Sequence, residues 1–146
     1  MNDDDSENGE AAAATSSGTH TVLVIDDSEI ARTQLVSIVS AAGMNALDLA
    51  SPIGATRTII ANHVDCVVID FFMPGMRGDR LAALFRGNPR FKKLGVVMIS
   101  GEASTELERL CDEAGADAIV RKNELAKLVP AIRAALRKRQ SMPPHG

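Results

Sequence analysis

The sequence predicts an α/β domain built on a doubly wound, five-stranded parallel sheet. Three observations predict it. Short runs that are apolar at every position recur along the chain, as Val22-Leu23-Val24-Ile25, Cys66-Val67-Val68-Ile69 and Val96-Val97-Met98-Ile99. A strand with no polar alternation is buried on both faces, the condition of a parallel sheet. Each run is followed by a stretch with helical spacing, so that strand and helix alternate five times, the pattern of a sheet covered by helices on both faces. Finally, the runs end on polar residues: Asp26-Asp27, Asp70 and Ser100.

The first strand, 22–25, leads through Asp26-Asp27 to Ser28, a helix N-cap. Ile30, Leu35, Ile38 and Val39 recur at helical spacing, and Gly43 closes that helix. Residues 46–49 form a weaker second strand. Ser51-Pro52 reads as a cap with proline at the first helical position, and Ile53, Ile59 and Ile60 supply the apolar face of a second helix. The third strand ends at Asp70 and is followed by the turn Met73-Pro74-Gly75-Met76-Arg77-Gly78 and a helix over about 79–86. The fourth strand ends at Ser100-Gly101, and its helix spans about 104–114, closed by Gly115. Ala118-Ile119-Val120 is a short fifth strand leading into Arg121-Lys122. The last helix covers about 124–139, with a kink or restart expected at Pro130, which has no N–H to donate.

At 146 residues the chain suits one domain. Aromatics are only 3%, so the core must be aliphatic. Residues 1–19 are acidic and polar, which predicts a disordered tail. The domain is expected over 20–139, with a short disordered tail at 140–146. The net charge of -3 and the absence of a basic cluster beyond the last helix argue against nucleic-acid binding. Arg133, Arg137, Lys138 and Arg139 read as cations near the negative end of a solvated helix. No apolar run spans a bilayer and the N-terminus is unlike a secretory signal, so a cytoplasmic location without membrane contact is expected. Cys66 and Cys111 sit in apolar runs and read as buried, reduced thiols.

In open parallel sheets ligands gather outside the carboxyl ends of the strands. Those ends bring Asp26 and Asp27, Asp70, Ser100 and Lys122 toward one edge. Three carboxylates held together repel, and a cation relieves them. Mg²⁺ suits them, being a hard ion that binds a few carboxylates with waters and phosphate oxygens. Lys122 adds a point charge and Ser100 a hydroxyl, and Gly101 leaves room for an incoming group. These are the parts for phosphoryl transfer onto a carboxylate.

On these residues the sequence resembles the response-regulator receiver family, in particular its single-domain, chemotaxis-type members. The matching features are Asp26-Asp27 after the first strand and Asp70 in D-x-x-M-P-G-M-x-G-D. Ser100-Gly101 after V-V-M-I and Lys122 after G-A-D-A-I-V-R complete them. The resemblance covers about 21–139. It implies the flavodoxin-like (βα)5 arrangement with strand order 2-1-3-4-5, and a phosphoacceptor module of two-component signal transduction and phosphorelays rather than an enzyme. It further implies Asp70 as phosphoacceptor, Asp27 as direct Mg²⁺ ligand, Asp26 as ligand directly or through water, and the backbone carbonyl of Phe72 as the third protein ligand. Ser100 is then the switch hydroxyl and Lys122 the phosphate-pairing lysine. The implied partners are a histidine kinase or phosphotransfer protein and a downstream protein target.

Two positions depart from the family. Ile119 stands where an aromatic is common, and Asn123 where proline is usual after the lysine. They bear on the aromatic relay and the loop after Lys122, and they motivate an alternative, a pseudo-receiver that binds its partner without phosphorylation. An aspartate-nucleophile phosphatase of the haloacid dehalogenase type is disfavoured, because D-x-D is replaced by Asp26-Asp27-Ser28. Phe72 and Glu102 are expected to border the path of an attacking water, with Arg77 or Arg121 near Glu102.

Overall fold

The structure, a computed structural model, describes residues 19–143. Of the expected tails, residues 1–18 and 144–146 lie outside the described residues, and Gln140, placed in the tail from the sequence, still belongs to the last helix. Five strands, β1 (Thr21–Ile25), β2 (Asn45–Leu49), β3 (Cys66–Asp70), β4 (Gly95–Ser100) and β5 (Ala118–Arg121), alternate with five helices. These are α1 (Glu29–Ala41), α2 (Ala55–Ala61), α3 (Gly78–Arg86), α4 (Thr105–Glu113) and α5 (Leu128–Gln140). The strands pair in parallel in the order β2-β1-β3-β4-β5, which is the expected flavodoxin-like arrangement.

The two-residue period of a strand divides the core into two layers. Leu23, Ile25, Val67, Ile69, Val96 and Met98 face one side, where Ile59, Leu81, Phe85, Leu107 and Cys111 of α2, α3 and α4 cover them. Val22, Val24, Val68, Val97 and Ile99 face the other, under Leu35 and Val39 of α1 and Leu128, Ile132 and Leu136 of α5. Both faces of β1, β3 and β4 are thus dry, which is why their sequences show no alternation. Both cysteines are free and buried, as expected, and burial pushes the Cys111 thiol up to about 11.

Caps behave locally as predicted. Ser28 Oγ accepts the Ala31 N–H at 3.2 Å, Ser104 Oγ accepts that of Leu107 at 3.0 Å, and Gly43 and Gly115 take the left-handed conformation past their helices. The second helix differs from expectation. Ser51 Oγ accepts the Ile53 N–H, closing a turn, and the helix starts only at Ala55, after the left-handed Gly54. Ile53 consequently points outward and is 86% exposed. Ile30 also leaves the core, at 84% exposed, because five residues before Leu35 lies about 140° round a helix. The last helix begins later than expected, at Leu128, and the break falls just before Pro130 rather than at it. A 3-10 turn, Leu125–Lys127, precedes α5. Pro130 is then its third residue, where the N–H would have no intrahelical acceptor anyway.

The end of the sheet opposite the strand carboxyl termini is held by a buried charge cluster. Asp117, its side chain 1% exposed, accepts from Arg86 Nη2 (2.9 Å), Arg139 Nη2 (2.8 Å) and the Val96 N–H (2.9 Å). Arg86 also donates to the carbonyls of Phe91, Leu94 and Gly115. One carboxylate thereby ties α3, the start of β4, the start of β5 and the end of α5 together.

Candidate functional site

Register explains why the polar residues converge. Ile25 pairs with Ile69, so Asp26 and Asp70, each one residue further on, emerge side by side. Asp70 pairs with Ile99 and Ser100 with Arg121, which sets Ser100 and Lys122 on the neighbouring strand ends. The Lys122 N–H donates to the Ser100 carbonyl at 2.8 Å. Oxygens of Asp26, Asp27 and Asp70 all lie within 4.8 Å of one another.

Burial differs among the three. Asp26 is fully buried, Asp70 is 5% exposed and Asp27 is open to solvent. Asp26 is fixed from two sides, its Oδ1 accepting the Ser28 N–H at 2.9 Å and its carbonyl accepting from Arg32 Nη1 at 3.0 Å. Its Oδ2 is buried and accepts no hydrogen bond, although the Lys122 ammonium stands 3.3 Å away. The same ammonium is 3.5 Å from Asp70 Oδ1. Burial first, and the Asp26 charge second, push the Asp70 carboxyl up to about 6, against the pull of Lys122 and a backbone hydrogen bond from Phe72.

This arrangement fits a divalent cation. An isolated buried carboxylate oxygen without a donor is costly, and one ammonium cannot balance three neighbouring carboxylates. A hard cation seated among them would satisfy Asp26 Oδ2 and draw Asp70 into its ionised form.

Ser100 is fully buried, and its Oγ accepts the Glu102 N–H at 3.0 Å, leaving its O–H proton to give. A side chain at Gly101 would meet nothing within 4 Å, so the approach beside Ser100 is open. The Phe72 ring is 48% exposed and packs edge-on against buried Phe71, centroids 4.8 Å apart. Arg77 is not paired with Glu102. It binds Asp79 in bidentate fashion, at 2.7 and 3.0 Å, and its guanidinium covers the Phe71 ring. Ile119 is partly buried and lines a groove with Leu107 and Cys111 between α4 and β5. No peptide bond among the described residues is cis, that after Lys122 included.

Sequence reasoning missed two supports. Gly78 opens α3 with its N–H on the Phe71 carbonyl at 2.8 Å. A Cβ there would collide with the backbone oxygen of Asp70 and stand 2.8 Å from Met98 Cε. The glycine in the turn was visible, but not what approaches it. Arg32, which donates to the Asp26 carbonyl and pairs with Asp48 at 2.8 Å, carries no local signal at all.

Comparison with known proteins agrees with this geometry. Residues 22–133 match the response regulator receiver domain family. A gliding motility regulatory protein of Myxococcus xanthus is 34% identical over 104 residues, covering 71% of this chain and 13% of that protein. The chain therefore spans only a small part of that relative's length. Among solved structures, a candidate response regulator from Chloroflexus aurantiacus superposes with a TM-score of 0.76 at 28% identity, over 82% of this chain and 98% of that one. The chemotaxis protein CheY4 of Vibrio cholerae shares the fold, with a TM-score of 0.72 at 23% identity over 79% and 99% of the two chains.

Proposed function

Because the chain belongs to the response regulator receiver domain family, we propose that it is a phosphorylation switch whose Asp70 takes a phosphoryl group from a histidine kinase or phosphotransfer protein. The observation that carries this reading is the set of three carboxylates within 4.8 Å, with Lys122 between Asp26 and Asp70 and one buried oxygen of Asp26 accepting no hydrogen bond. In the transfer, an Asp70 carboxylate oxygen attacks phosphorus. The new P–O bond forms as the P–N bond to the donor imidazole breaks, and the imidazole leaves with the electron pair. Asp26, Asp27, Asp70 and the carbonyl of Phe72 are the groups that would hold Mg²⁺. When bound, that ion neutralises charge on the phosphoryl oxygens.

The chain's own residues supply the rest. The Lys122 ammonium, held between Asp26 and Asp70, is placed to follow the charge onto a phosphoryl oxygen. Ser100 donates its O–H to another oxygen, and this draws on the β4–α4 segment through the Glu102 N–H bound to its Oγ. Ile119 replaces the usual aromatic on the face of α4, β5 and α5. Being β-branched and without a hydroxyl, it supports a smaller change there than an aromatic rotamer exchange. The chain acts as an acceptor and signal carrier rather than turning over a substrate.

Mass spectrometry after incubation with acetyl phosphate and Mg²⁺ tests the reading. One added phosphoryl group on Asp70, absent from Asp70→Asn, is expected. Equal labelling of the variant would place the acceptor elsewhere. No labelling of the wild type would favour a receiver that binds its partner without phosphorylation.

A further inference from the structure

The loop after β3 and the outer side of α3 form one surface that adjoins the acidic site at Phe72 and runs away from it along α3. Two grooves, about 710 and 390 Å³, adjoin there and share Met76 and Arg80. The first runs up to Phe72 and the second down to Leu84. Arg80 and Leu84 stand four residues apart within α3 and so share one face, and Phe72 and Met76 of the preceding loop line the grooves that continue from it. Phe72 is 48% and Leu84 60% exposed, two of the four large apolar side chains left exposed among the described residues. The core does not require this, because α3 already buries Leu81, Ala82 and Phe85 on its other side.

Charge gives the surface a sign. Neither groove is lined by a carboxylate, and both are lined by arginine. Arg77 is committed to Asp79, whereas Arg80 enters no ion pair among the described residues. The groove between α4 and β5 has a net acidic lining, with Glu102, Glu108, Asp112 and Glu124 outnumbering Arg121 and Lys127.

We propose that the Phe72–Met76–Arg80–Leu84 stripe is a docking surface for an acidic amphipathic helix of a partner protein. The apolar side of that helix covers Phe72, Met76 and Leu84, and one of its carboxylates pairs with Arg80. A helix matches the surface because its side chains one turn apart can meet Arg80 and Leu84, themselves one turn apart on α3, with Phe72 and Met76 extending the apolar contact. A carboxylate matches Arg80 because the guanidinium fork binds it in bidentate fashion. The acidic groove on the other side of α4 repels the same helix, which makes the choice of face specific. The surface stands on its own geometry and goes beyond the phosphoacceptor reading.

The test is an amide-shift titration of the isotope-labelled full chain with a capped peptide of about sixteen residues. The peptide is built of Leu, Ala and Glu with leucines one helical turn apart, and a second peptide carries Lys in place of Glu. The Glu peptide should give saturable shifts confined to the β3–α3 loop and α3. Its affinity should fall about tenfold in Arg80→Glu and in Leu84→Ser, and the Lys peptide should gain affinity for Arg80→Glu. Shifts mapping to the α4–β5 groove, no saturable shift, or equal binding of the two peptides by the wild type would each overturn the proposal. Acetyl phosphate labelling of the same samples should be unchanged by either substitution, which also reports that the variants fold. Labelling without docking overturns the docking surface alone, and docking without labelling overturns the phosphoacceptor reading alone.

Discussion

Replacing Asp70 by Asn should make the metal-free protein more stable, by an amount that grows with pH. Asp70 is 5% exposed and lies beside fully buried Asp26, and its carboxyl is pushed from 3.8 up to about 6, mainly by burial. The folded state therefore holds this proton where the unfolded chain has already released it. Stability from Asp70 is fully present below about pH 4 and is lost as pH rises through about 6. At about 1.4 kcal/mol for each pH unit, the wild type forfeits about 3 kcal/mol by pH 7.5. Asn has nearly the same shape and cannot ionise, so it escapes that loss. The difference between the two proteins should be about 1 kcal/mol at pH 4.5 and about 3 kcal/mol at pH 7.5. Taking the difference cancels the other carboxylates. Urea unfolding in chelator measures it, followed by circular dichroism because the chain has neither Trp nor Tyr. Saturating Mg²⁺ should close the gap by stabilising the wild type more than the variant. A gap that is independent of pH, or that favours the wild type as pH rises, would refute the reasoning.

Three further outcomes are expected. Asp117→Ala should cost about 3 kcal/mol of stability, the low end for a broken buried pair, because Arg86 and Arg139 keep backbone carbonyl partners; a urea melt showing under about 1 kcal/mol would mean the cluster is dispensable. Asp27→Ala should raise the Mg²⁺ dissociation constant about tenfold or more and slow labelling with it, which calorimetry and acetyl phosphate kinetics read separately. Phe72→Asn should shorten the lifetime of the phosphorylated form several-fold, since the exposed ring beside the site cannot orient a water whereas an amide can; a decay time course that is unchanged or slower in the variant counts against shielding by the ring.

Much of the fold and the site could be read along the chain because the signals are local. An apolar run without alternation marks a strand buried on both sides, so β1, β3 and β4 were identifiable without any knowledge of their neighbours. The parallel topology then delivers Asp26, Asp27, Asp70, Ser100 and Lys122 to one edge, because each follows or ends its own strand. Ser28 and Gly43 bracket α1 through bonds spanning a few residues, and such contacts are written in the sequence itself.

Tertiary structure decided whatever depends on partners far along the chain. Ile30 and Ile53 read as apolar positions of helix faces but point to solvent, Ile30 because it lies about 140° round α1 from Leu35 and Ile53 because the second helix starts only after it. Ser51-Pro52 has the chemistry of a helix start, yet the left-handed Gly54 moves that start to Ala55. The buried Oδ2 of Asp26, which accepts no hydrogen bond, and the raised Asp70 carboxyl follow from how deeply the strand ends are buried, which no spacing encodes. The Asp117 cluster joins residues 31 and 22 positions apart. Its ion pairs are strong only because packing removes the water around them, and the depth of that packing is a property of the assembled layers.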